Sequence, residues 1–273
     1  MRSGALAAPR AASPERASRT LQRFGSRVAT FCLVEVQKLA HDRTELVTRA
    51  AQPILWLLVF GETFNRIHAI PTGHLRYLDF LAPGIIAQSG MFIAIFYGIQ
   101  IIWERDAGVL TKLLVTPTPR SALILGKAFA AAIRSLAQVV VVLVVAALLG
   151  VGLSSNPLHI VTSFVVVGLG AAFFSCLSMS IAGIVLRRDR LLGIGQMITM
   201  PLFFASNALY PVSVMPGWVR VLSKINPLSY EVDALRGLLI NTHADLPLDF
   251  AVLFAAVAVG VSVASALVER LAR

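Results

Sequence analysis

Long apolar runs separated by short polar segments dominate the hydrophobicity pattern of this chain of 273 residues. Five runs come close to the roughly 20 residues that an α-helix needs to cross the hydrocarbon core of a bilayer. A sixth and weaker run, Ala50–Phe64, begins after Arg49 and contains Glu62, so we expect it to borrow flanking residues. The pattern predicts an all-α membrane protein with six transmembrane helices, at about 46–66, 80–103, 128–153, 159–186, 191–210 and 247–268.

The residues ahead of the first predicted span divide into two parts. Residues 1–18 are mainly Ala, Arg, Ser and Pro, and their shortage of large apolar side chains predicts a disordered basic tail. In 19–45, apolar residues such as Leu21, Phe24 and Val28 recur at helical spacing. This spacing predicts an amphipathic helix in the cytoplasmic headgroup layer or, alternatively, a soluble helix packed on a partner. We treat 19–273 as one transmembrane domain.

The segment between predicted spans five and six, Pro211–Leu246, is too apolar for a simple loop. Its apolar side chains need cover, and backbone that does not span the bilayer is stable at membrane depth only against protein or a water-filled cavity. We therefore predict two short re-entrant helices that enter the outer leaflet. Trp218 and Tyr230 suit the interface between lipid and water.

Composition and charge set the environment. The chain is 57% hydrophobic and 14% charged, with a mean hydropathy of +0.78, which excludes a water-soluble domain. Lys and Arg number 18 on one predicted side and five on the other, which places both termini in the cytoplasm. The net charge of +10 indicates anionic lipid headgroups rather than nucleic acid, because the basic residues flank the spans without an aromatic stacking platform. Cys32 and Cys176 lie in unlike surroundings, so we expect no disulfide.

Sequence motifs for an energy source are missing. Gly126-Lys127 is followed by Ala128 and lacks the upstream glycine of a phosphate-binding loop. Predicted spans two to six have no Asp, Glu or His near their middle, which argues against an ion-coupled carrier. Neither metal-ligand spacing nor a hydrolytic triad is present in the sequence. We expect no catalytic residue and no metal site, and an energy source outside the chain.

The segment Glu104–Lys127 is the best candidate for receiving that energy. Leu110, Leu113 and Leu114 form an apolar face, and two prolines from Pro117 onward end the helix by fixing φ and removing donors. The sequence predicts a cytoplasmic helix at 104–120 that inserts this face into a groove on a partner and transmits motion. The alternative is a loop on the membrane surface, with its leucines in lipid.

Two blocks of sequence carry a resemblance. ERDAGVLTKLLVTPTPRSALILGK and PLFFASNALYPVSVMPGWVRVLSKINPLSYEVDALRGLL resemble the characteristic blocks of ATP-binding-cassette (ABC) type-2 exporter permeases, near the daunorubicin-resistance and nodulation-export permeases. The resemblance covers about residue 30 to the end. It implies a six-span subunit of a bacterial cell membrane that forms a homodimer. Two separate ATPase subunits would bind ATP and Mg, so this chain needs no cofactor, and the cargo would be a hydrophobic or amphipathic drug, antibiotic or lipid-linked molecule.

The resemblance also implies roles for individual residues. The helix that docks on the ATPase would contain the apolar face and its neighbours. These residues are Glu104, Arg105, Gly108, Leu110, Leu113, Leu114, Thr116, Pro117 and Arg120. The translocation path would contain Phe203, Phe204, Asn207 and Tyr210. The re-entrant segment would contain Asn226, Pro227, Tyr230, Asp233 and Arg236, the last two forming an ion pair. On the alternative interpretation, the residues of the path and of the re-entrant segment only satisfy backbone groups where a helix is interrupted. An ion-coupled carrier or channel, and a scaffold that transports nothing, are the alternative functions.

Overall fold

The computed structural model describes residues 43–67, 71–73, 75–108, 110 and 120–272. The described residues form helices and connections, with no β-strand among them. The predicted tail at 1–18 and nearly all of the predicted interfacial helix at 19–45 lie outside these ranges. The same holds for four residues of the predicted docking helix, Leu113, Leu114, Thr116 and Pro117.

Nine α-helices are present in the described part of the chain. They are α1 (Arg43–Leu55), α2 (Glu62–Ile67), α3 (Tyr77–Asp106), α4 (Arg120–Leu148), α5 (Pro157–Val185), α6 (Arg188–Phe204), α7 (Gly217–Ile225), α8 (Pro227–Leu239) and α9 (Leu246–Ala272). A π-helical turn, Trp56–Gly61, joins α1 to α2, and a 3-10 turn, Val212–Val214, precedes α7. Each of the six predicted spans therefore contains a helical segment.

Four of these helices are long and apolar enough to cross a membrane: α3, α4, α5 and α9 up to Val268. The other two predicted spans differ from a continuous membrane helix. In the first, the π-helical turn Trp56–Gly61 interrupts the α-helical hydrogen-bond pattern between α1 and α2, and α6 has 17 residues. At 1.5 Å per residue α6 is about 25 Å long, short of a hydrocarbon core of about 30 Å. The count of six spans remains a prediction.

α5 lies at the centre of the bundle and packs against α3, α4, α8 and α9. Small residues allow close approach: a Cβ added to Gly98 of α3 would lie 2.6 Å from the Ser175 carbonyl oxygen of α5. Two small residues of α5 differ in their surroundings, because Cys176 faces Gly260 of α9 whereas Gly168 has open space beside it. Cys176 is a free, buried thiol.

The segment after α6 contains the two short helices expected there, α7 and α8. Asn226 separates them, and its side-chain oxygen accepts a hydrogen bond from the Leu228 amide at 3.1 Å, capping α8. Pro227 occupies the first helical position, where its missing N–H costs nothing. These two residues explain why the chain turns here and starts a new helix.

Candidate coupling and translocation site

α3 ends inside the segment that was predicted to form the docking helix. Glu104 and Arg105 belong to the last turn of α3, and the Gly108 amide donates to the Arg105 carbonyl at 2.9 Å. Gly108 has φ of +71°, a conformation that glycine adopts without strain and that ends the helix. The predicted helix boundary at 104 is therefore wrong, because residues 104–106 close a long membrane helix instead of opening a new one.

Charged side chains connect three helices at one end of the bundle, which we name the charged end (Glu104–Gly108, Arg120–Lys127 and Leu186–Arg190). Asp106 accepts hydrogen bonds from Arg105 at 2.8 Å and from Arg188 at 3.0 Å. Arg105 also donates to the Leu186 carbonyl oxygen at 3.1 Å. Lys127 of α4 forms an ion pair with Glu104. The charged end therefore joins α3 both to α4 and to the connection between α5 and α6.

Leu110 does not present an apolar face to a partner, contrary to the prediction. Its side chain is fully buried, at 0% exposed, and belongs to the hydrophobic core. A residue that is already packed inside the chain has no surface left for docking. Arg120, in contrast, is exposed at the first position of α4.

α6 stops at Phe204, and the following non-helical residues, Ala205–Tyr210, form what we name the helix break. Polar groups from neighbouring helices satisfy its backbone. The Tyr77 hydroxyl donates to the Leu209 carbonyl at 3.1 Å. The break passes so close to α3 that a Cβ on Gly84 would lie 2.5 Å from the Ala208 carbonyl oxygen. The break is thus held tightly in place although it is not helical.

Arg236 of α8 is the main polar contact of the helix break. Its guanidinium donates to the carbonyl oxygens of Asn207 at 2.6 Å, Ala208 at 3.3 Å and Phe80 at 3.3 Å. It also lies 3.7 Å from the centroid of the Phe80 ring, a cation–π contact. The side chain is 7% exposed. Arg236 therefore joins α3, α8 and the break through one buried group.

The expected ion pair between Asp233 and Arg236 is present at 3.9 Å, with the Asp233 side chain 49% exposed. Asp233 makes a shorter contact to Asn207, whose side-chain amide donates to it at 2.6 Å. Asn207 is 2% exposed. This predicted path residue is therefore part of a buried polar network that fixes the helix break.

The other predicted path residues form part of an aromatic series. Phe203 is fully buried and meets the Trp56 ring edge to face at 5.7 Å, while Phe204 is 44% exposed and lies 6.5 Å from the same ring. The Tyr210 hydroxyl donates to the Phe204 carbonyl. Trp56 stacks on Phe60 at 4.3 Å within the π-helical turn. The sequence reasoning missed the role of this turn, because π-helical geometry has no clear signature in residue order.

The remaining predicted residues of the re-entrant segment stabilise its turns. The Asn226 side-chain amide donates to the Leu202 carbonyl at 2.6 Å, which connects the start of α8 to α6. The Tyr230 hydroxyl donates to the Lys224 carbonyl at 2.7 Å. Together with the Asn226 cap, these contacts satisfy backbone groups at the turns of this segment.

Glu231 is a notable residue that the sequence reasoning missed. It is 1% exposed, and neither carboxylate oxygen has a hydrogen-bond partner among the described residues. A Cβ on Gly170 of α5 would lie 2.1 Å from one of these oxygens. A signal existed, since Leu228, Glu231 and Leu235 recur at helical spacing on the buried face of α8.

Among the described residues, no group of three or more His, Cys, Asp or Glu side chains is arranged to hold a metal ion. The polar contacts of the charged end and of the helix break are instead hydrogen bonds and ion pairs between helices. Such contacts hold neighbouring helices in position relative to one another.

Comparison with known proteins agrees with this arrangement. The family described as ABC-2 type transporter matches residues 28–240. The transport permease named ycf38 of Porphyra purpurea is 32% identical over 202 residues, covering 72% of this chain and 68% of the relative. The daunorubicin resistance ABC transporter permease protein DrrB1 of Streptomyces coeruleorubidus is 23% identical over 202 residues, covering 74% and 71%.

A further relative is Nodulation protein J of Rhizobium leguminosarum bv. trifolii, 26% identical over 198 residues, covering 72% of this chain and 74% of the relative. The ycf38 protein of Cyanophora paradoxa is matched over 66% of its length, so the chain spans about two thirds of that relative. The resemblance found in the two sequence blocks is confirmed. The family match covers more than three quarters of the residues of this chain. The chain therefore belongs to the ABC-2 type transporter family.

Proposed function

We propose that the chain is the membrane-spanning permease subunit of an ABC exporter, which moves a hydrophobic or amphipathic substrate out of the cell. A separate ATPase subunit would bind ATP and Mg and hydrolyse the nucleotide. The chain's family supports an ABC transporter permease. The observation that carries the finer proposal is the charged end, where Arg105, Asp106 and Arg188 connect the α3–α4 segment to α6.

This connection offers a mechanical route across the bundle. A partner that displaces the α3–α4 segment moves the end of α3, and the bonds from Arg105 and Asp106 pass that movement to Leu186 and Arg188. Arg188 is the first residue of α6, whose last residue, Phe204, lies about 25 Å away at 1.5 Å per residue. ATP-driven closure of the partner would thereby reach the helix break.

The orientation of the chain follows from its charges. We place the charged end and both termini in the cytoplasm of a bacterium and the chain in its plasma membrane, because 18 of 24 Lys and Arg residues fall on that side. Anionic headgroups would contact these residues. The helix break and α7 then face the outer half of the bilayer.

The positions of α7 and α8 support the re-entrant arrangement. Glu231 lies against Gly170, the 14th of 29 residues in α5, whereas Leu239 accepts a hydrogen bond from the Ser154 amide just before α5 begins. α8 would therefore run from mid-depth to the outer surface. α7 exposes Trp218, Val221 and Ile225, which suit the lipid interface.

A second copy of the chain and the substrate complete the proposal. We propose that two copies of this chain form a homodimer and that the translocation path lies between them. Phe204 is 44% exposed beside Trp56 and suits a flat or amphipathic apolar cargo. Two of the other proposed path residues, Phe203 and Asn207, are buried and would support Phe204 without touching substrate in this conformation.

The test is ATP-driven uptake of a hydrophobic fluorescent dye into inverted vesicles that hold the chain and its ATPase. Leu113→Glu and Leu114→Glu should abolish copurification of the ATPase and reduce uptake at least tenfold. Leu110 is unsuitable because it is fully buried. The control is Leu192→Glu, at a leucine 41% exposed near the start of α6, which should retain uptake.

Two results would replace the proposal with an alternative. Uptake that persists without ATP and collapses with the proton gradient would indicate an ion-coupled carrier. An ATPase that copurifies but is not stimulated by any transported dye would indicate a scaffold. Docking variants that leave uptake unchanged would refute docking at Leu113 and Leu114.

A further inference from the structure

A cavity of about 270 Å³ lies between α1, α3 and α4. α1 contributes Thr48, Arg49, Gln52 and Pro53 to its lining. α3 contributes a stripe that includes Gln88, Phe92 and Phe96, and α4 contributes Gln138. The volume is close to the lower bound of about 300 Å³ for small-molecule sites in proteins.

Two glutamine side chains give this cavity a polar interior. Gln88 is 2% exposed and Gln138 is 1% exposed. The Nε2 atoms of both residues, and Oε1 of Gln138, have no hydrogen-bond partner among the described residues. Buried amides are normally paired, because an unmade hydrogen bond of a buried polar group is costly. A carbonyl or hydroxyl oxygen of a ligand would accept from the two Nε2 donors, and a hydroxyl would in addition donate to Oε1 of Gln138.

An aromatic wall lies next to the amides. Phe92 and Phe96 are stacked with ring centroids 6.5 Å apart and an interplanar angle of 17°. Gln88, Phe92 and Phe96 follow each other at four-residue spacing and so share one face of α3. Their common face favours a planar ring system, which gains more from offset stacking than a flexible chain does.

The unpaired amide donors favour some occupants of the cavity over others. A saturated acyl chain would fill the same volume but would leave the donors of Gln88 and Gln138 without acceptors. A planar aromatic ketone or phenol meets both requirements, since its rings contact Phe92 and Phe96 while its oxygen accepts from the amides.

We infer that the space between α1, α3 and α4 is a binding site for planar aromatic molecules carrying a carbonyl or hydroxyl oxygen. Gln88 and Gln138 bind the oxygen, and Phe92 and Phe96 stack on the rings. That such a ligand is cargo rests on the proposed export function, whereas its binding does not.

Photolabelling with benzophenone, an aromatic ketone, tests the site. The full chain is placed in nanodiscs of phosphatidylethanolamine and phosphatidylglycerol, irradiated without ATPase or ATP, and mapped by mass spectrometry. Adducts should concentrate on peptides containing Pro53 and Phe92. Gln88→Leu and Gln138→Leu should each reduce them about fivefold, the effect of one neutral hydrogen bond. Gln100→Leu, at a half-buried glutamine of α3 outside the cavity, is the matched control.

Competition distinguishes recognition of the oxygen from simple filling. Fluorenone should suppress the labelling, whereas fluorene, the same ring system without the carbonyl, should not. Ile93→Trp, which fills the cavity, should remove the adducts while the thermal unfolding of the chain stays cooperative.

Several results would overturn the inference. Equal competition by fluorene, or suppression by added phospholipid alone, would indicate a lipid chain as the occupant. Labelling no greater than on lipid-facing peptides would indicate a water-filled cavity. Glutamine variants that label like the unchanged chain would exclude recognition by the amides. Because no nucleotide is involved, failure of ATPase docking would leave these outcomes unaffected.

Discussion

Replacing Arg236 with methionine tests whether one buried group holds the helix break in place. Methionine retains much of the apolar stem of arginine but removes the charge and every donor. The change leaves three carbonyl oxygens, of Phe80, Asn207 and Ala208, without their present donor. It also removes the contact of the guanidinium with the Phe80 ring at 3.7 Å.

The magnitude follows from these contacts. A hydrogen bond to a charged group contributes roughly 1.5–3 kcal/mol, and a cation–π contact that is desolvated about 2 kcal/mol. Burying the guanidinium costs several kcal/mol, which offsets part of that gain. The ion pair with Asp233 adds little, because the Asp233 side chain is 49% exposed and the charges are 3.9 Å apart. We expect Arg236→Met to lower the free energy of unfolding by about 3–5 kcal/mol.

The measurement is equilibrium unfolding of the purified chain in detergent, with Arg220→Met as the matched control. Arg220 also donates to two carbonyl oxygens, of Ser213 and Met215, each at 3.3 Å, but at the surface. Its replacement should cost under about 1 kcal/mol. Arg236→Lys should fall between the two, since it keeps the charge and loses the planar fork. Equal costs for Arg236→Met and Arg220→Met would refute the reasoning.

Three further predictions concern close contacts and the charged end. Gly170→Ala should lower the free energy of unfolding by about 1–3 kcal/mol, and Glu231→Ala in the same chain should restore it. Gly168→Ala, with open space beside its Cβ, should be neutral or stabilising. Additive effects of the Gly170 and Glu231 substitutions in unfolding experiments would contradict this contact. Gly84→Ala should destabilise the chain and reduce dye uptake, because the backbone of Ala208 occupies the space that the new Cβ needs. Gly193→Ala should do neither. Equal melting curves for the two variants would argue against this packing. Asp106→Asn should weaken uptake with no measurable change in melting temperature, since its partner Arg188 is 50% exposed; uptake unchanged from the parent chain would exclude this route.

The helical architecture could be predicted from the sequence because lipid imposes a length and an apolar composition on each span. The apolar runs of α3, α4, α5 and α9 met both conditions, and the structure confirms them as span candidates. The divided first span could not be foreseen. The π-helical turn at Trp56–Gly61 packs against α3, and residue order has no clear signature of π-helical geometry.

Prediction of the site was less complete, for reasons that differ by residue. Leu110 belongs to an apolar face, but its spacing does not reveal whether that face meets a partner or the chain itself. Asn226 and Arg236 were found through a family resemblance, and the structure adds which carbonyls they bind. Glu231 was overlooked because an acidic residue two positions from Asp233 is expected at the surface. Only the structure shows that it packs against Gly170.

The two ends of α6 are fixed by interactions of different strength, and this bears on how the bundle moves. At the charged end, Arg188 and Asp106 are partly exposed, so their ion pair exchanges readily with water. At the helix break, buried hydrogen bonds from Arg236 are costly to lose. A push on the α3–α4 segment therefore displaces the charged end of α6 more easily than the break. In the proposed export cycle, residues near the charged end, such as the buried Leu191, would change neighbours before Phe203 does.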